Sequence, residues 1–302
     1  MTDMIAYAVD FMNEIGFDKE ATECLSHDLE VMLSNRESRA IIEECVALYG
    51  KDEHIDYNDI LINMSRAAEL SGVHVYSAQL LIFILFSKHL RELYKQRGIS
   101  DRIWLDSMCD LKWKLWECKA VKGVWGSFVA GWFHRFFDVT RFALGRLQFE
   151  TVAVKDNCIV NGKEIKAGMK ALAIHIPRTM TPLTKKSRLD SYRQAIEFYA
   201  GEFGDQPIIF SCHSWLLSEE MPSLLRDGSN IKSFIEDFVI VGYEKANAGD
   251  YSEAWRLFDM EYTGNIDDFP EDSTLRRNYK EYLKNGGVMG CGLGYFFADD
   301  IT

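Results

Sequence analysis

Between residues 170 and 217 a strand-like run, a helical run and a second strand-like run follow one another: "KALAIHIP", then "KKSRLDSYRQAIEFYAGEF", then "QPIIFSCHSWLL". The outer runs are short and rich in Ile, Leu and Phe, whereas the middle one places Leu189, Tyr192, Ile196 and Phe203 on one stripe of a helix. A strand, a helix long enough to serve as a crossover and a further strand predict two neighbouring parallel strands in one sheet. Other strand-like runs surround this unit: "RFALGRLQFETVAVK", "NCIVNGKEIKAG", "EDFVIVGYEK" and "GCGLGYFFADD", with a further helix around "SNIKSFIEDF". Asn161-Gly162 is a hairpin turn signal between "CIV" and "KEIKA". The order predicts a mixed sheet with an antiparallel front and the parallel pair behind it.

Residues 1 to about 122 have a different texture, helical nearly throughout, with breaks near Gly16, Gly50, Gly72 and Gly98. "HVYSAQLLIFILFSKHLRELYKQRG" reads as a central helix, and "IWLDSMCDLKWKLWECKAV" as the next one. The texture changes after "KGVWG", and apart from a helix at "VAGWFHRFFDV" strands take over. The expectation is an α+β chain with an all-helical domain over 1–124 and a mixed α/β domain over 125–302.

The net charge of −12 repels nucleic-acid phosphates and anionic lipid surfaces, so neither is an expected partner, and an anionic ligand needs a local basic cluster. Seven cysteines, an odd number with no CxxC pair, predict neither a disulfide framework nor a zinc site, and no metal is expected. The first residues lack a basic segment and an unbroken apolar stretch, and "LLIFILF" is too short to span a bilayer, so we read a reduced, cytoplasmic, membrane-free protein.

The polar end of "IIFSCHSWLL" raises the question of catalysis. Successive strand residues point to opposite faces, so Ser211 and His213 share one face while Cys212 and Ser214 share the other. Cys212 and His213 therefore cannot form a dyad, and no G-x-S-x-G elbow is present for a serine hydrolase. Cys212 reads as a core residue. On the preceding strand, His175 follows Ala171 and Ala173 on one face, so His175 and His213 stand near the carboxyl ends of the two strands, where open α/β sheets place ligands. Beyond His175, Lys185, Lys186 and Arg188 fall at the start of a helix, where cations oppose the helix dipole and an anion would be welcome. Arg146, Gln148 and Glu150 alternate with Leu147 and Phe149 and share a strand face. Tyr243 follows "FVIVG", and a second helix start lies at Ser229 and Asn230.

The order "GRLQFE", "ALAIHIP", "CHSWLL", "GSNI..F" and "FPEDSTL" resembles a family of two-domain bacterial acyltransferase-domain proteins, with a helical N-terminal domain and a C-terminal domain of GNAT (N-acetyltransferase) type. The resemblance implies a central sheet whose two parallel strands splay apart, and transfer of an acetyl or other acyl group from acyl-CoA to an amine acceptor by direct attack. It implies a pantetheine arm paired with the backbone of the first splayed strand, through Ile174 and Ile176, and phosphates received by Arg178, Lys185, Lys186, Ser187 and Arg188; the helix start at Asn230 is the other candidate for a phosphate contact. His175, His213 and Glu150 are the base candidates and Tyr243 the candidate acid toward the leaving thiolate. Arg146, Gln148 and Ser214 are candidates to line the acceptor site. The family's glycine-containing loop, Q/R-x-x-G-x-G/A, is replaced here by Arg178 and "TMTPLTKKS". That departure keeps two alternatives open: a phosphopantetheine arm on an acyl carrier protein as donor, and a non-catalytic binding protein for an acyl carrier or small ligand on a degenerate GNAT fold.

Overall fold

The computed structural model describes residues 2–301. It divides into two compact units, Met1–Ala143 and Leu144–Thr302. In the first, α1 (Thr2–Glu14), α2 (Lys19–Ser34), α3 (Arg36–Tyr49) and α4 (Tyr57–Ser71) precede the two long helices α5 (Val75–Gln96) and α6 (Asp101–Lys122). α5 is the central helix, because its run from Leu80 to Phe86 is apolar on every side and each of those side chains is buried. Asn35 breaks the chain between α2 and α3 without a glycine: its extended backbone ends one helix, and its Oδ1 accepts the Glu37 and Ser38 N–H groups to cap the next. No helix among the described residues is long and apolar enough to cross a membrane.

The unit boundary lies about twenty residues beyond the one expected at 124/125. Gly123, at φ 71°, does end α6. The helical turns that follow, a 3-10 turn over Ala130–Phe133 and α7 (His134–Phe137), nevertheless belong to the helical core. Phe133 packs edge-to-face and Phe137 at a tilt against Phe83 of α5, with ring centroids 5.2 and 4.9 Å from it, and aromatic burial of this size fixes the segment to the helices.

The chain passes from one unit to the other within β1 (Arg141–Leu144). Then follow β2 (Leu147–Ala153), β3 (Cys158–Val160), β4 (Lys163–Ile165), β5 (Lys170–His175), α8 (Lys185–Phe203) and β6 (Ile209–Ser214). After them come α9 (Met221–Leu224), α10 (Asn230–Ile235), β7 (Val239–Lys245), α11 (Trp255–Phe258), α12 (Thr274–Lys284) and β8 (Gly290–Phe297). The sheet runs β1-β2-β5-β6-β8-β7; β5 and β6 are parallel, and the β2/β5, β6/β8 and β7/β8 pairs are antiparallel. β3 and β4 form the separate hairpin that Asn161-Gly162 turns, both residues at positive φ (50° and 77°) as a two-residue hairpin turn requires.

α8 packs on one face of the sheet. Tyr192 sets its ring 5.3 Å from Phe210 and 5.1 Å from Phe296, and the Tyr199 hydroxyl donates to the Phe149 carbonyl at 2.8 Å. On the other face, Val154, Val160, Ile165, Ala171, Ile209, Tyr295 and Phe297 form an apolar cluster that takes in the β3/β4 hairpin. That cluster covers the end of the face where β5 and β6 begin, and the end where they finish carries the polar side chains.

Candidate active site

The ladder between β5 and β6 pairs Leu172 with Phe210 and Ala173 with Ser211, although β5 continues to His175 and β6 to Ser214. Past Ala173 the two strands part, and the backbone at the carboxyl end of β5 loses its ladder partners on that side. Gln148 faces His175 and Glu150 faces Ala173 across the antiparallel β2/β5 ladder. Directly paired residues share a sheet face, so Gln148, Glu150, His175, Ser211 and His213 all stand on the face opposite α8.

Within this group, His175 Nε2 lies 2.7 Å from Glu150 Oε1, with Glu150 buried and the imidazole about three-quarters buried. An ionised carboxylate only accepts, so the proton in this bond belongs to Nε2 and the neutral ring carries its lone pair on Nδ1. His213 makes a second histidine–carboxylate pair, its Nε2 3.3 Å from Glu244 Oε2, but both side chains are largely exposed, at 48% and 79%. An exposed pair of this kind orients its imidazole weakly.

Tyr243 and Ser214 stand elsewhere. Both are in register with Gly292, whereas His213 is in register with Leu293, so they occupy the other face of the sheet. Ser214 uses its hydroxyl to accept the Leu216 N–H at 3.2 Å, capping a 3-10 turn. Tyr243 is exposed on the edge strand. Tyr243, the candidate acid toward the leaving thiolate, and Ser214, a candidate for the acceptor site, therefore stand on the sheet face opposite His175 and His213. Cys212 is buried, and burial pushes its thiol far above the usual range, as suits an inert core residue.

The cations after β5 separate into two groups. Arg188 is 1% exposed and donates through Nε and Nη2 to both Asp237 carboxylate oxygens and through Nη2 to Ser233, so its guanidinium is held in a buried ion pair. Arg178 is bound bidentately by Asp259, which Arg276 also holds. Ser187 spends its N–H and hydroxyl on Thr184, the N-cap of α8. Lys185 and Lys186, by contrast, are exposed in the first turn of α8 with no carboxylate within ion-pair distance among the described residues. Arg146 also lacks a carboxylate partner; its guanidinium lies across the loop that leads into α8. Asn230 is exposed at the start of α10, and Ile174 is buried, with Ile176 half-buried just past the end of β5. Asp237, Asp259 and Glu244 had no local signal, because each meets its partner only through the tertiary fold. No cluster of three or more His, Cys, Asp or Glu side chains that could hold a metal occurs among the described residues.

A mixed sheet whose two parallel central strands part beside a helix start is the GNAT-type acyltransferase fold. The chain belongs to the N-acyltransferase family with that fold: residues 6–139 match the N-acyltransferase N-terminal domain and residues 142–296 the GNAT-like C-terminal domain. The chain is similar to a solved acyltransferase in complex with decanoyl-CoA and teicoplanin, with a TM-score of 0.76 and 20% identity over 96% of this chain and 87% of that one. It is also similar to an acyltransferase in complex with CoA and 10C-teicoplanin (TM-score 0.72, 21% identity, 96% and 87% covered) and to an acyltransferase mutant in complex with octanoyl-CoA (TM-score 0.71, 21% identity, 96% and 87% covered). By sequence, no curated protein matches it.

Proposed function

We propose that this protein transfers an acyl group from an acyl-CoA thioester to an amine acceptor, with His175, held by Glu150, as the general base. The observation that carries the reading is the buried 2.7 Å His175–Glu150 contact on the face where β5 and β6 part. An amine acceptor is mostly an ammonium at neutral pH and attacks only after losing a proton. Glu150 fixes the tautomer and offsets the charge that arises when His175 Nδ1 takes that proton. The amine nitrogen then bonds to the thioester carbonyl carbon, the carbon–sulfur bond breaks, and the imidazolium returns its proton to the sulfur. Unpaired backbone groups where the strands splay hold the pantetheine arm, through Ile174 and Ile176, and the developing oxyanion.

Acyl-CoA is preferred to a carrier-protein arm because the similar acyltransferases were solved with decanoyl-CoA, octanoyl-CoA or CoA. Of the cations expected at the phosphates, Lys185 and Lys186 retain that role, at a helix start with no competing carboxylate. The double substitution Lys185→Gln/Lys186→Gln is expected to weaken CoA binding about tenfold at low salt, since charge-assisted hydrogen bonds contribute roughly 1.5–3 kcal/mol and exposure reduces that. Calorimetry checks it: the wild-type affinity falls with salt, and the variant's salt dependence is shallower. An unchanged affinity at low salt would remove both lysines from the donor site. The rival reading, a binding protein without chemistry, draws on the loop lacking glycine, and it expects CoA binding with no release of thiol in the presence of any amine.

A further inference from the structure

The loop from Pro177 to Thr184, between β5 and α8, contains neither a glycine nor a residue at positive φ. Glycines in a phosphate-binding loop allow the backbone to turn N–H groups toward the anion and carbonyl oxygens, which repel it, away. In this protein a side chain takes charge of the carbonyls. Gly145, at φ 71°, turns the chain between β1 and β2 against α8 so closely that a Cβ would lie 2.7 Å from Ser191 Oγ. The same hydroxyl accepts the Arg146 N–H at 2.7 Å, which anchors the next residue. From there Arg146 Nε donates to the Thr181 carbonyl at 3.1 Å and Nη1 to the Pro177 carbonyl at 3.0 Å. One planar guanidinium thus spans the loop and directs two of its carbonyl oxygens onto a cation. In a trans peptide the N–H points opposite to the carbonyl, so the Arg178 N–H is turned away from the guanidinium.

Arg146 is unlike the other arginines of this region. Arg178 and Arg188 are neutralised by Asp259 and Asp237, whereas Arg146 has no carboxylate partner among the described residues. Burial without a counter-ion pulls its guanidinium down to about 10, the mark of a cation whose environment lacks an anion.

We propose that Arg146 is the positioning residue that replaces the missing loop glycines, fixing the β5–α8 loop so that it receives the diphosphate of the donor. The inference rests on the acyl-CoA reading above. Two variants and two ligands test it: Arg146→Gln and Arg146→Lys, each titrated with CoA and with S-octanoyl-pantetheine, which carries no phosphate, and each melted in parallel. Lysine keeps the charge but cannot donate in one plane to two carbonyls. Both variants are therefore expected to lose CoA affinity by at least about tenfold, the effect of one charge-assisted hydrogen bond, while their affinity for S-octanoyl-pantetheine stays at the wild-type value. Where Arg146→Gln does not fold, Arg146→Lys carries the comparison. Full rescue by lysine would overturn the positioning role, as would unchanged CoA affinity or equal loss for both ligands. A wild-type protein that binds the pantetheine thioester but not CoA would instead overturn the acyl-CoA reading, and the Arg146 proposal with it.

Discussion

His175→Ala is expected to lower the rate of acyl transfer by about 10²–10⁴-fold, the contribution of a positioned general base, while CoA still binds. The large effect follows from the setting of the imidazole: a buried carboxylate 2.7 Å from Nε2 holds one tautomer and stabilises the imidazolium that forms during the reaction. His213→Ala serves as the comparison. Its pair with Glu244 is exposed on both sides, so its loss is expected to cost far less. Rates measured at saturating donor, with CoA affinity measured separately, distinguish a lost base from a lost binding contact. Equal losses in the two histidine variants would contradict the assignment of the base to His175.

Asp237→Ala is expected to destabilise the second unit by about 3–5 kcal/mol, because removing one member of a buried ion pair leaves the other charge uncompensated. Arg188 is 1% exposed and gives three hydrogen bonds to Asp237 and the Ser233 hydroxyl, with a fourth to the Ser233 carbonyl. The Tyr192 hydroxyl donates to Asp237 as well, at 3.0 Å, so the substitution also orphans a buried phenol. Denaturant unfolding reads the effect directly. If Arg188 instead served the donor's phosphates, Asp237→Ala would leave stability near wild type and alter CoA affinity.

The β5–α8–β6 unit and the β3/β4 hairpin were legible because their information is local: an apolar run of strand length, a helical stripe ending at Phe203, an Asn-Gly turn. The order of the sheet was not, since β8 enters between β6 and β7 from the far end of the chain, and no local pattern records that insertion. The extent of the helical core is hidden for a related reason: Gly123 has the chemistry of a helix end, but Phe133 and Phe137 beyond it carry the segment back onto α5.

In the site, parity groups His175 with Ala171 and Ala173 on one strand and His213 with Ser211 on the other, the β5/β6 register that pairs Ala173 with Ser211 brings the two groups to one face, and the alternation of Gln148 and Glu150 supplies the carboxylate. Tyr243 shows where parity fails. β7 carries an irregularity between Ile240 and Gly242, so Val241 is an extra residue and everything after it faces the opposite way. With regular pairing Tyr243 would stand opposite Cys291, on the histidine face; the bulge moves it opposite Gly292 and gives the histidine face to Glu244. Charge at a helix start is visible in sequence, whereas a neutralising aspartate such as Asp237, 49 residues from Arg188, is not.

The most direct test of the account is release of free thiol from acetyl-, octanoyl- and decanoyl-CoA in the presence of alkylamines, amino sugars and amino-acid esters, followed for the wild type and for His175→Ala. The account predicts release that depends on an amine, yields the N-acyl product in equal amount, and falls by about 10²–10⁴-fold in the variant. Thiol release independent of any amine, or an amine-dependent rate that His175→Ala leaves unchanged, would contradict it.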